Sequence, residues 1–167
     1  ELKKSAKIPE FQYNKGMTLL EKNSFQEAYS VFEEVVMYYP GTVFGDKSKF
    51  ELALIDIAGG RYTTADEYLM SLSENRTDDL GAKSQYYLGQ SLYDQAKYNE
   101  AITALVRVRT VYSRYEEWLM RSYLLLGDCY VKLNDKRNAA EMYRAVLTKY
   151  SGTPIGDEAQ QKLRKVQ

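Results

Sequence analysis

Histidine is missing from this chain altogether, which removes the commonest general base and the commonest metal ligand at neutral pH. There is one cysteine, Cys129, so neither an internal disulfide nor a thiolate metal cluster can form. Net charge is also lacking: 23 Lys plus Arg balance 23 Asp plus Glu, whereas a general electrostatic nucleic-acid binder carries a clear basic excess. No apolar run approaches the roughly 20 residues that cross a bilayer. The longest candidates, around Leu124 to Leu126 and Val35 to Val36, are broken by polar residues. Glu1 to Lys7 has no apolar signal core and reads as a cut end, so a removed signal or lipid anchor would leave no trace here. The glycines form no phosphate-binding loop. What is present is 44% apolar and 28% charged residues over 167 positions, enough to bury a core in one domain or a short repeat array.

The strongest positive signal is internal repetition. Four blocks place Gly or Ala first, Ala twelve residues later and a large residue four after that: Gly16/Ala28/Phe32, Ala53/Ala65/Leu69, Gly89/Ala101/Leu105 and Gly127/Ala139/Tyr143. A further apolar residue follows at Val35, Leu72, Val108 and Val146, and the first positions lie 37, 36 and 38 residues apart. Within blocks the apolar residues recur at helical spacing, as in Tyr13, Gly16, Met17 and Leu20. Each block therefore predicts two antiparallel helices around a punctuated turn: Lys22-Asn23-Ser24, Gly59-Gly60-Arg61, Gln95-Ala96-Lys97 or Asn134-Asp135-Lys136. The small residue of the first helix and the Ala of the second are expected to face each other where the axes approach closely. Between blocks, Tyr39-Pro40-Gly41-Thr42 to Asp46 aligns with Tyr150-Ser151-Gly152-Thr153 to Asp157. The second copy opens what reads as the first helix of a fifth unit without its partner, an orphan helix predicted to be either a solvating cap or an apolar edge that stacks on another copy or on further repeats.

These residues resemble the tetratricopeptide repeat family, whose pattern Gly16, Ala28, Phe32 and Pro40 meet in full and the other blocks meet in part. Departures are the missing early Trp, replaced by Gln12, Lys49, Gln85 and Tyr123, and a period longer than usual. The resemblance implies an all-α, right-handed solenoid of four helix-turn-helix repeats, about 9–45, 46–81, 82–119 and 120–156, with a terminal helix 157–167, in one array. The Tyr-Pro-Gly-Thr turns look like the bacterial envelope branch, which includes the barrel-assembly outer-membrane lipoprotein and the periplasmic partner of the Tol-Pal system. They imply a periplasmic or outer-membrane address, the alternative being cytoplasmic.

In that fold the first helices line a concave face. Its columns would be Tyr13, Phe50, Tyr86 and Leu124; Leu20, Ile57, Tyr93 and Val131; and Glu10, Lys47, Lys83 and Arg121. Tyr13, Phe50, Tyr86 and Tyr93 are thus candidate contacts for a protein segment, with Lys47, Lys83 and Arg121 steering its acidic residues. The 16 tyrosines exceed what four repeat cores require. A non-catalytic scaffold is the reading, with no cofactor or metal; self-association and glycan binding are the alternatives. The family's carboxylate clamp positions read Tyr13, Met17, Glu51, Lys83 and Tyr87, which does not match that type of tail binding. Asp56, in an apolar place of the repeat, reads as a locally hydrogen-bonded acid, Cys129 as a structural thiol, Trp118 as a packing residue or an anchor, and Asn75-Arg76-Thr77 as an incidental glycosylation pattern.

Overall fold

A computed structural model describes residues 7–74 and 76–167, without the Lys7 side chain. The cut end at Glu1 to Lys7 and the Asn75-Arg76-Thr77 pattern therefore lie wholly or partly outside the described residues. Among the described residues there are nine helices and no strand: α1 (Lys7–Glu21), α2 (Phe25–Tyr38), α3 (Val43–Ala58), α4 (Tyr62–Ser73), α5 (Asp79–Asp94), α6 (Tyr98–Val111), α7 (Glu116–Lys132), α8 (Lys136–Tyr150) and α9 (Pro154–Arg164). Two helices fall in each predicted block. By its internal packing the chain forms two compact units, Glu1–Leu72 and Ser73–Gln167.

The turns explain the helix ends. Asn23, Ala96 and Asn134 take φ of 59°, 60° and 59° after α1, α5 and α7, and Gly60 takes 73° after α3, so one left-handed residue reverses the chain each time. Thr42, Asp78 and Thr153 accept hydrogen bonds from the amides of Gly45, Gly81 and Gly156 at 3.0, 3.0 and 3.3 Å. These caps start α3, α5 and α9 about one turn ahead of the block starts read from the repeat.

Packing corrects one expectation. A Cβ on Gly16 would sit 2.5 Å from the Phe32 ring, and one on Gly89 would sit 2.6 Å from Leu105. On Gly127 it would collide with the Tyr143 ring. The large residue of the second helix, not its Ala, fills the space above the glycine. Ala28, Ala101 and Ala139 are fully buried. In unit 1, Ala28 and Phe32 of α2 cluster with Leu52 of α3. In unit 2, Ala101 and Leu105 of α6 cluster with Leu126 and Cys129 of α7.

The segment leading into α5 is strapped down by later residues of the same unit. Tyr112 Oη lies 2.7 and 2.8 Å from the carbonyl oxygens of Ser73 and Arg76, and Arg107 donates to the carbonyls of Ser73 and Glu74. Trp118 Nε1 donates to Asp79 Oδ1 at 3.0 Å. These bonds satisfy carbonyls that have no ladder of their own.

Of the two forms predicted for the orphan helix, a solvating cap or an apolar edge, the apolar edge is not what it presents. α9 buries Ala159 and Leu163, joined by Val166 just beyond its end, in a cluster with α7 and α8, while Asp157, Glu158, Gln161 and Arg164 face outward.

Ser48, Ser84 and Ser122 recur at the third place of successive blocks, each fully buried, and none of their hydroxyls has a hydrogen-bond partner. A small residue is needed there for close approach, but its oxygen is not. Ser122→Ala is expected to stabilise unit 2 by about 0.5–1.5 kcal/mol, since it removes an unpaired hydroxyl and improves helix propensity. Urea unfolding followed by circular dichroism measures this; a lower midpoint would mean the hydroxyl is bonded after all.

Candidate functional site

In unit 2 the first helices α5 and α7, joined by α9, line two adjoining open clefts. One, of about 350 Å³, is bounded by Tyr86, Gln90, Arg121, Leu124, Asp128 and Glu158. The other, of about 210 Å³, is bounded by Tyr93, Asp128, Val131, Lys132, Lys162 and Lys165. Asp128 stands in both. Its carboxylate accepts from Lys162 Nζ at 2.8 and 2.9 Å and from the Tyr143 hydroxyl at 2.7 Å, which pins α9 and α8 to α7. Burial, then the hydrogen bond to Asp128 and its charge, raise the Tyr143 phenol far above its ordinary range, so this oxygen stays a donor.

Tyr86 of the larger cleft belongs to an aromatic group that lies behind its lining. Tyr86 and Tyr87 lie with ring centroids 5.7 and 6.1 Å from Trp118, and the Arg121 guanidinium sits 5.7 Å over the Trp118 ring while pairing with Glu117. Burial pushes the Tyr86 phenol up to about 12, so this hydroxyl carries no charge at neutral pH. Cleft charge therefore comes from Arg121, Lys132, Lys162 and Lys165 against Asp128 and Glu158. Lys132 and Lys165 make no ion pair among the described residues.

In unit 1, Tyr13 packs at 5.8 Å on Phe32 and 5.7 Å on Phe44, with the Lys47 ammonium over Tyr13 and Phe44. Burial and the Glu51 charge hold the Tyr13 phenol up at about 12. A separate apolar hollow of about 530 Å³ lies among Leu20, Phe25, Tyr29, Leu54, Ile55 and Arg61. Asp56, fully buried, accepts from Arg61 Nε at 2.7 Å and from the Tyr29 hydroxyl at 3.3 Å. The local satisfaction read from the sequence for this acid therefore extends to a neighbouring helix.

The sequence-predicted contacts thus separate. Tyr86 and Arg121 share one cleft and Tyr93 lines the next; Tyr13 and Lys47 form their own cluster. Lys83 is half-buried and lines neither cleft. Phe50 must be corrected: it is 1% exposed and belongs to the core, having no polar tip to keep it at the surface. Cys129 is fully buried, and burial pushes its thiol up to about 12, as suits a packing residue. Among the described residues no group of three or more His, Cys, Asp or Glu is placed to hold a metal. Among the described residues no helix is long and apolar enough to cross a membrane.

Sequence reasoning missed Asp128, Lys132, Lys162 and Lys165. A signal existed: Thr153-Pro154-Ile155-Gly156-Asp157 repeats Thr42-Val43-Phe44-Gly45-Asp46, so α9 is another first helix and its inward face continues the wall.

Comparison with known proteins agrees with this geometry. No curated protein matches the sequence. Among solved structures, the apo form of RapI superposes with a TM-score of 0.82 at 15% identity over 95% of this chain; the chain spans 47% of that protein, about half its length. MamA from Desulfovibrio magneticus RS-1, from residue 41 to its end, gives 0.69 at 16% identity, covering 95% of this chain and 92% of that one. A putative kinesin light chain from Podosopora anserina, built of nearly identical repeats, gives 0.70 at 20% identity, covering 94% and 84%. At these identities the likeness is one of fold, a solenoid of helix pairs. Two family models described as tetratricopeptide repeat match residues 9–42 and 82–151, together more than half of the sequence. With its paired helices, its recurring small residues and these matches, the chain belongs to the tetratricopeptide repeat family.

Proposed function

We propose that unit 2 is a scaffold that binds a segment of a partner protein along the two clefts of α5, α7 and α9. The observation that carries this reading is their make-up: an aromatic and aliphatic wall at one end, Tyr86 and Leu124, leading to a lysine-rich end with Lys132 and Lys165. Such a surface suits a segment with apolar anchors followed by acidic residues. Tyrosines supply contact area with few torsions to immobilise. The work is binding rather than turnover. The envelope address implied by the Tyr-Pro-Gly-Thr turns belongs to the same proposal and is tested by fractionating the native host.

Photocrosslinking from Val131, exposed beside the lysines, captures the segment in the native host and identifies it by mass spectrometry. A synthetic peptide of that segment is then titrated. Tyr93→Ala, and Lys132→Glu with Lys165→Glu, are each expected to raise its Kd by about 10–100-fold at unchanged helicity. Unchanged affinity in both variants, or crosslinks that fall only on the chain itself, would overturn the reading.

A further inference from the structure

Four of the five first helices share a packing code that α1 breaks. At the third and seventh places of each block stand Ser48 and Leu52, Ser84 and Leu88, Ser122 and Leu126, and Ala159 and Leu163, all of them buried. In α3, α7 and α9 this is the face covered by α2, α6 and α8. In α1 the same places hold Phe11, 70% exposed, and Lys15, also exposed. Lys15 stands where an ordinary repeat partner would bury leucine, and no such partner can cover it without desolvating an ammonium. This face is built for a different companion.

Helical geometry gives the composition of the edge. Tyr13 points α1 at Phe44 of α3, and half a turn away runs the stripe Ile8, Phe11, Lys15 and Lys22 beside a shallow hollow of about 360 Å³. On α2, Tyr29 points at Asp56 of α3, and half a turn away run Glu27, Glu34 and Tyr38, all exposed. The side of the hairpin turned away from α3 thus carries a cationic stripe with an aromatic end beside an acidic stripe with an aromatic end. Lys15, Lys22, Glu27 and Glu34 make no ion pair among the described residues.

We propose that unit 1 pairs with a second copy of this chain through this edge, α1 of each copy lying antiparallel on α2 of the other. The register follows from the crossing of Gly16 with Phe32, which puts those two residues level. A two-fold axis parallel to the helices then sets residues at matching offsets from the crossing opposite each other. Lys22 lies six residues after Gly16 and Glu27 five before Phe32; Lys15 lies one before Gly16 and Glu34 two after Phe32; Phe11 lies five before Gly16 and Tyr38 six after Phe32. All three pairs meet within about one residue, or ~1.5 Å of helix rise. The two lysines and the two glutamates are each seven residues apart, so both pairs form at once. The interface is isologous and closes at two copies.

Sedimentation velocity of the full chain tests this by charge exchange at exposed sites. The wild type is expected to dimerise, more weakly as salt rises. Lys15→Glu with Lys22→Glu, and separately Glu27→Lys with Glu34→Lys, are each expected to raise the dimer Kd by about 100-fold or more, because four attractions become four repulsions. Mixing the two variants restores a heterodimer. Circular dichroism checks that each variant remains helical. A wild type that is monomeric at about 100 μM, dimerisation untouched by either reversal, or a mixture that does not associate would overturn the proposal. Peptide binding in the clefts of unit 2 is read separately and stands or falls by itself.

Discussion

Trp118→Ala is expected to destabilise unit 2 by about 3–5 kcal/mol, the range for removing a large buried aromatic. The ring is 9% exposed, clusters with Ala82, Val108 and Tyr112, and is flanked by Tyr86 and Tyr87. Its indole nitrogen also holds Asp79 at the start of α5. Trp118→Phe keeps much of the apolar contact and drops the hydrogen bond, so about 1–2 kcal/mol is expected. The difference apportions the effect between packing and the bond. Because Tyr86 leans on this ring, the alanine variant is also expected to bind the cleft ligand more weakly than its lost stability accounts for. Urea unfolding by circular dichroism measures the stability, since the variant has no tryptophan to report by fluorescence. A loss under about 1 kcal/mol would show that the cavity collapses and that Trp118 is not the keystone of the α5, α6 and α7 contact.

Gly127→Ala is expected to cost about 1–3 kcal/mol even though alanine is the better helix former by about 1 kcal/mol. The added methyl meets the Tyr143 ring, which is 1% exposed and tethered through its hydroxyl to Asp128, so the ring has nowhere to move. The second block supplies the control: it carries Ala53 with Leu69 at these two places, both fully buried. Adding Tyr143→Leu to Gly127→Ala is therefore expected to recover part of the loss. If Gly127→Ala proved as stable as the wild type, the tight contact of glycine with the ring would not be what sets the spacing of α7 and α8.

Both variants bear on what could be read from the residues alone. The four blocks, their helix pairs and the turn residues were legible because apolar spacing and left-handed turn positions are local properties. Yet the partner of each glycine was read as the facing alanine, when the large residue four places on fills that space. The spacing of small residues reveals that two helices approach; it does not reveal which side chain leans across.

The clefts were harder to foresee for the same reason. Phe50 and Tyr86 stand at the same place of their blocks, and one is core while the other walls a cleft. Lys162 and Lys165 escape the sequence reading because its groove columns run over four blocks only, although the turn before α9 copies the one before α3.

The sequence by itself determined that this protein is a chain of helical hairpins with no histidine chemistry, since period, turn and composition act over a few neighbouring residues. Only the tertiary structure decided which aromatics are exposed, that α9 faces outward with polar residues, and that Lys15 lies open where its counterparts bury leucine. Exposure is a property of what packs alongside, and residues dozens of positions apart settle it.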